Sequence, residues 1–142
     1  MQPCILLVDD DPIGAELTMA ALAELNLGLP VQLAVDGEEA LDLLMRRKPM
    51  DPGAACPPYL VLLDLKMPKV DGHEVLRQIR ESDQLRALRV IVLTSSDQKS
   101  DMERSRELGT DAYLLKPPSI FDLIDEFRKL EPLFQPPTKF TC

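Results

Sequence analysis

Several short apolar runs in this 142-residue chain end in residues able to do chemistry. Leu7-Val8 leads into Asp9-Asp10-Asp11, Leu62-Leu63 into Asp64, Leu93 into Thr94-Ser95-Ser96, and Leu114-Leu115 into Lys116-Pro117. If these runs are neighbouring strands, carboxylates, a hydroxyl and an ammonium group meet at one edge. Two carboxylates at ~4 Å repel by roughly 4 kcal/mol at an effective dielectric of about 20, so a cluster of Asp9, Asp10 and Asp64 calls for a cation. An all-oxygen donor set with room for water suits Mg²⁺. Lys116 cannot ligate a metal, but it can pair with a carboxylate or with a transferred anion. Thr94 can donate one hydrogen bond to that anion, and charge-assisted bonds of this kind contribute roughly 1.5–3 kcal/mol each. Carboxylate, divalent ion, hydroxyl and lysine are together the parts needed for phosphoryl transfer to an aspartate.

Positioning those groups requires an alternation of elements. Cys4–Val8, Val31–Val35, Tyr59–Leu63, Val90–Leu93 and Ala112–Leu115 are rich in Val, Ile and Leu without polar alternation. Strands buried on both faces, as in a parallel sheet covered by helices, read this way. Between them lie helical spacings. Ile120, Leu123, Ile124 and Phe127 fall at i, i+3, i+4 and i+7, which is one helix face. Ile13–Leu25, Gly37–Arg47 and His73–Glu81 also read as helices. Asp97–Leu108 has only Met102 and Leu108 as strong apolar anchors, so it should be the least firmly held. Strand and helix repeated five times predict an α/β fold with right-handed crossovers, and such sheets place ligands beyond the carboxyl ends of the strands. The Pro-rich segments Lys48–Pro58 and Glu131–Cys142 fall outside the alternation. The second is expected to be a tail beyond a domain ending near Leu130, unable to continue a helix, yet its Phe134 and Phe140 should dock onto something.

The chain carries 24 acidic and 16 basic residues, a net charge of −8. Its length predicts one domain. The acidic balance argues against a nucleic-acid surface. No apolar run approaches the ~20 residues of a membrane span, and no secretory signal opens the chain. Three widely spaced cysteines, Cys4, Cys56 and Cys142, fit reduced thiols in a cytoplasm.

The set Leu7-Val8-Asp9-Asp10-Asp11-Pro12, Leu63-Asp64-Leu65-Lys66-Met67-Pro68 with Asp71-Gly72, Leu93-Thr94-Ser95, and Tyr113-Leu114-Leu115-Lys116-Pro117 resembles a CheY-like response-regulator receiver domain over Ile5 to about Leu130. The resemblance implies a flavodoxin-like, doubly wound five-stranded parallel sheet of order 2-1-3-4-5 with helices on both faces. It implies that Asp64 accepts a phosphoryl group from a histidine of a sensor kinase. Asp9, Asp10 and Asp64, with the backbone carbonyl of Lys66, would hold Mg²⁺. Thr94 and Lys116 would hold the phosphoryl oxygens, Thr94 and Tyr113 would act as the switch, and Lys116–Pro117 would be a cis peptide. Lys66 and Ser96 occupy positions that tune phosphoryl loss in this family. The run Asp64–Gly72 and the Lys48–Pro58 connection also resemble stand-alone receivers paired with phytochrome-type kinases. Too few residues follow Leu130 for an output module, so signalling is expected through protein contacts. A homodimer is expected through Leu133, Phe134 and Phe140.

Plainer readings stand beside these. Asp11-Pro12 is a good helix start, an N-cap followed by proline, so Asp11 is expected to cap and not to ligate. His73, the single histidine, is expected on the surface at a helix start. Tyr113 alone could be packing. The rival function is a Mg²⁺-dependent phosphatase with Asp9 as nucleophile and Asp11 as acid, a reading that leaves Asp64 unexplained.

Overall fold

Alternate residues of each inner strand face opposite helical layers. In the computed structural model, which describes residues 3–45, 58–67 and 69–136, the chain runs β1 (Ile5–Val8), α1 (Pro12–Ala23), β2 (Val31–Ala34), α2 (Gly37–Leu44), β3 (Leu60–Leu63) and α3 (Gly72–Glu81). It continues with β4 (Arg89–Thr94), α4 (Lys99–Glu107), β5 (Ala112–Leu115), α5 (Ile120–Lys129) and α6 (Glu131–Phe134). The sheet is parallel throughout, in the order β2-β1-β3-β4-β5, as the resemblance implied. Ile5 and Leu7 of β1 face one layer with Leu60, Leu62, Ile91, Leu123 and Phe127. Leu6 and Val8 face the other with Val61, Leu63, Leu41, Val75, Leu76 and Ile79. Successive strand side chains point to opposite sides, so apolar residues at every position need apolar cover on both.

The expected double burial holds for β1, β3 and the body of β4. It fails at the edges: Gln32 of β2 and Leu115 of β5 are exposed. An edge strand has one neighbour and incomplete helical cover, which the composition of a four-residue run does not reveal. Helix starts follow side-chain chemistry. Asp11, Asp36, Asp71 and Ser119 each accept a hydrogen bond from a first-turn amide of their helix, satisfying donors that a helix leaves open. α4 differs: Gln98 makes no such side-chain bond, and Ser105 is its only buried residue. The expectation that this helix is the least anchored agrees with that packing.

The segment after Leu130, expected to be unable to continue a helix, forms a short one. Pro132 does not forbid a helix here, because it sits in the first turn of α6, where its missing N–H costs nothing. Phe134 is 1% exposed and packs its ring on Phe127 at a centroid distance of 5.0 Å. Tyr59 donates a 2.6 Å hydrogen bond to the Phe134 carbonyl, and Arg89 donates to the carbonyls of Leu133 and Gln135. The start of the tail is therefore fastened to the amino ends of β3 and β4. Phe140, Cys56, Cys142 and the Lys48–Ala55 part of the long connection lie outside the described residues.

Burial pushes the Tyr59 phenol up to about 12, against the opposing charge of Arg89. A raised folded-state pKa favours the neutral phenol, so this contribution is complete below the ordinary pKa of 10 and disappears as pH rises toward 12. In urea unfolding, Tyr59→Phe should lose about 1 kcal/mol at neutral pH. It should also show a shallower loss of stability than the parent chain above pH 10.

Candidate functional site

Register brings the acids together. Val8 pairs with Leu63 across β1 and β3, and the Asp64 amide donates to the Val8 carbonyl at 3.0 Å, so Asp9 and Asp64 leave adjacent strands at the same level. β5 delivers the cation from the other side, its next residue fixed by a 2.8 Å hydrogen bond from the Lys116 amide to the Thr94 carbonyl. Lys116 Nζ lies 2.9 Å from Asp9 Oδ2 and 3.4 Å from Asp64 Oδ2. Asp9, Asp64 and Thr94 are buried, whereas Asp10 is exposed at the mouth.

Each acid is held differently. Asp9 uses both oxygens, one accepting from Lys116 and the other from the Asp11 amide at 2.9 Å. Asp64 has Lys116 at one oxygen and the Lys66 amide 3.4 Å from the other. Burial pushes the Asp64 carboxyl above the ordinary carboxylate value, and the Asp9 charge adds to this. The Lys116 charge and a hydrogen bond with Thr94 oppose it without cancelling it. Burial pulls the Lys116 ammonium down, but its bond to Asp9 and the two nearby carboxylate charges outweigh that, and the net direction is up.

One oxygen from each of Asp9, Asp10 and Asp64 lies within 4.8 Å of the others. This hard, all-oxygen set fits a divalent cation of the Mg²⁺, Mn²⁺ or Ca²⁺ type. Asp10 and Lys66 line a shared open cleft of about 300 Å³ with Leu65, Met67, Asp71 and His73, which leaves room for water ligands. The expected phosphoryl-holding groups also converge. Thr94 is fully buried, with its Oγ1 accepting from the Ser96 amide at 3.3 Å. Tyr113 donates from its hydroxyl to the Ser96 carbonyl at 2.8 Å.

The sequence profile of the response regulator receiver domain matches residues 5–128. This chain belongs to that family. The receiver is 44% identical over 119 residues to a probable methanogenesis regulatory protein, FilR2, of Methanothrix harundinacea, covering 84% of this chain and 75% of that one. It is 32% identical to response regulator Rcp1 of Synechocystis over 89% of this chain and 85% of that protein. The Mn²⁺-bound crystal structure of Rcp1 superposes with a TM-score of 0.82 and 29% identity over 99% of both chains. The bacteriophytochrome response regulator AtBRR superposes at 0.77 with 40% identity over 98% of this chain and 99% of that one. The chain spans about half the length of the mycobacterial response regulators MprA that it also matches. It is thus a receiver of two-component signalling with phytochrome-associated structural neighbours. Among the described residues, no helix is long and apolar enough to cross a membrane.

Two expectations about site residues are overturned. Among the described residues every peptide bond is trans, Lys116–Pro117 included. The cis isomer is what the family resemblance implies, whereas such bonds intrinsically prefer trans by about 0.5–1 kcal/mol. His73 is not a surface residue: it is 8% exposed, with Nε2 3.1 Å from Ser105 Oγ and 3.3 Å from the Asp101 carbonyl. The ring fits because α4 presents a small serine opposite it. Asp11 caps α1 as expected, accepting from the Ile13 amide at 3.2 Å.

Sequence reasoning missed Asp101. Its Oδ2 accepts a 2.5 Å hydrogen bond from Ser96 Oγ and lies 3.4 Å from Lys66 Nζ. In the sequence it is one acid in the first turn of a polar helix, indistinguishable from a dipole-complementing residue. Gly72 is equally necessary. A Cβ there would sit 2.7 Å from Leu65 Cα and closer still to the Asp64 carbonyl oxygen. Gly72→Ala should therefore shift the Asp64 backbone and cost about 1–3 kcal/mol in urea unfolding.

Proposed function

We propose that Asp64 is the phosphoacceptor of this receiver, and that Asp9, Asp10 and Asp64, with the Lys66 backbone carbonyl, hold Mg²⁺. The observation that carries this reading is convergence on one carboxylate. Asp64 is approached by Lys116, Thr94 and two further acids at once. In the reaction an Asp64 oxygen attacks phosphorus, the bond from phosphorus to the imidazole nitrogen of a kinase phosphohistidine breaks, and the imidazole leaves with its electron pair. Mg²⁺, when bound, offsets negative charge on the acids and the transferred group. Lys116 stabilises the phosphoryl oxygens electrostatically, and the Thr94 hydroxyl donates to one of them. Tyr113, tied to Ser96 two residues beyond Thr94, is placed to follow any movement of Thr94. New charge on Asp64 then shifts a two-state equilibrium that is read by protein contacts.

The partner on the input side is a sensor histidine kinase, and the phytochrome-associated neighbours favour a phytochrome-type kinase. Ile13 is 79% exposed and Phe121 75% exposed, at the starts of α1 and α5, immediately after the segments that carry Asp9 and Lys116. Apolar side chains at that rim suit a protein delivering a phosphoryl group to Asp64. Dimerisation must use groups other than Phe134, which the protein's own core consumes. The phosphatase reading is not favoured, because the carboxylate it needs as an acid, Asp11, caps α1 and is exposed.

Acetyl phosphate with Mg²⁺ should label the chain stoichiometrically with an alkali-labile phosphoryl group, and Asp64→Asn should abolish the label. Label surviving in that variant would refute the assignment. Phe121→Ser should slow transfer from a phosphohistidine protein at least severalfold while leaving labelling by acetyl phosphate unchanged, as expected of a residue that docks the donor protein and is absent from the chemistry.

A further inference from the structure

Five residues close a ring around the mouth of the site. Asp64 is linked to Thr94, whose Oγ1 accepts from the Ser96 amide. Ser96 Oγ donates to Asp101 Oδ2, that oxygen pairs with Lys66 Nζ, and the Lys66 amide returns to 3.4 Å from Asp64 Oδ1. Two links differ in kind. The Ser96–Asp101 bond is short and partly sheltered, and Asp101 is also anchored through its carbonyl to the buried His73. The Lys66 end is loose: its side chain is 65% exposed against 16% for Asp101, and its ammonium rides on a flexible stem.

We propose that Asp101 is a positioning residue for Lys66. It holds the ammonium over α4 while Asp64 is unmodified, and it competes with the phosphoryl group for that cation once Asp64 is modified. The proposal rests on Asp64 as phosphoacceptor. Lys66 stands two residues beyond Asp64, with its amide already facing that carboxylate. Lys116 is shared between Asp9 and Asp64, and modification replaces the single charge of the Asp64 carboxylate with about −1.5 to −2 on the phosphoryl oxygens, more than one shared lysine neutralises. Lys66 is then drawn from a singly charged partner, itself only 16% exposed, to a doubly charged one. Asp101 loses its counter-ion, and the first turn of α4 loses a tether. α4 has little else holding it, since Ser105 is its only buried residue and its N-cap side chain makes no bond. The cation exchange thus couples modification of Asp64 to release of that turn, and linkage requires the coupling to run both ways.

The test uses the full chain with Mg²⁺ and beryllium fluoride, a tetrahedral stand-in for the phosphoryl group, titrated by calorimetry. Asp101→Asn keeps an acceptor for Ser96 Oγ but removes the charge. It should bind beryllium fluoride about two- to fivefold more tightly, the fold-change equivalent of one partly exposed ion pair. Asp101→Glu should restore the parent affinity, and raised salt should shrink the difference. Lys66→Met should bind more weakly than the parent chain, and adding Asp101→Asn to it should then change nothing. Hydrogen exchange should show the amides at the start of α4 speeding up when beryllium fluoride binds the parent chain, and already fast in Asp101→Asn. Equal affinity in Asp101→Asn, or tightening that persists alongside Lys66→Met, would overturn the proposal, the latter by showing that Asp101 acts on the anion directly. A parent chain that binds no beryllium fluoride would instead overturn the Asp64 reading beneath it.

Discussion

Two buried carboxylates are forced side by side by strand register, and one lysine makes that tolerable. Asp9 and Asp64 have side-chain exposures of 1% and 9%, at a level set by the pairing of Val8 with Leu63. The register cannot slip, because each inner strand carries large apolar residues toward both helical layers and a one-residue shift would exchange the two sets. The acids are therefore held together by the hydrophobic core rather than by any affinity of their own. Lys116 reaches them from β5, two strands from β1's neighbour β3. Burying such groups is a poor route to stability, since desolvation offsets much of the Coulombic attraction. The cluster makes sense as a place where a further cation and an incoming anion complete the charge balance.

The frame around this cluster is unevenly firm. β1, β3 and β4 are packed on both faces, and α5 and α6 are joined to them through Phe127, Phe134, Tyr59 and Arg89. α4 is attached mainly by polar contacts: His73 with Ser105, Ser96 with Asp101, and Lys66 with Asp101. Apolar burial resists perturbation by a local charge, whereas polar contacts of this kind rearrange when a charge beside them changes. Elements that move are drawn from the low-stability end of a fold. Here that end is α4, and its ties lead back to the residues flanking Asp64 and Thr94.

Legibility in the sequence followed the range of the interactions. The parallel sheet and the ends of its inner strands were readable because a strand covered on both faces needs an unbroken apolar run, and the residue that ends the run is then conspicuous. Asp9, Asp64, Thr94 and Lys116 all stood out in this way. Asp11 was readable as a cap because capping is settled within three residues. The edges of the sheet were less so: Leu115 differs from inner positions only in what lies beside it, and the polar Gln32 was the one edge signal in its run. Phe134 was readable as a residue that docks, but what it docks onto was not, because its partners, Phe127 and Tyr59, are set by how α6 folds back. His73 and Asp101 were opaque for the same reason: each acquires its meaning from a side chain on another element.

The charge of the chain sharpens the same point. A net charge of −8 works against an incoming phosphoryl group, yet beyond about 8 Å at physiological ionic strength that field is largely screened. On the proposed reading, what the group experiences is set by the residues around Asp64: the acids, Lys116, and Lys66 at the rim. Replacing surface charges elsewhere would change how quickly partners meet this protein, but not the balance at Asp64. That balance depends on cations delivered by two different elements, the end of β5 and the turn after β3, and only the second of them is also tied to α4 through Asp101. A change at Asp64 therefore has two routes outward that differ in stiffness. One passes through Lys116 into a strand hydrogen-bonded to the sheet. The other passes through Lys66 into the helix with the least to hold it, and along that second route a local change of charge becomes a change of shape.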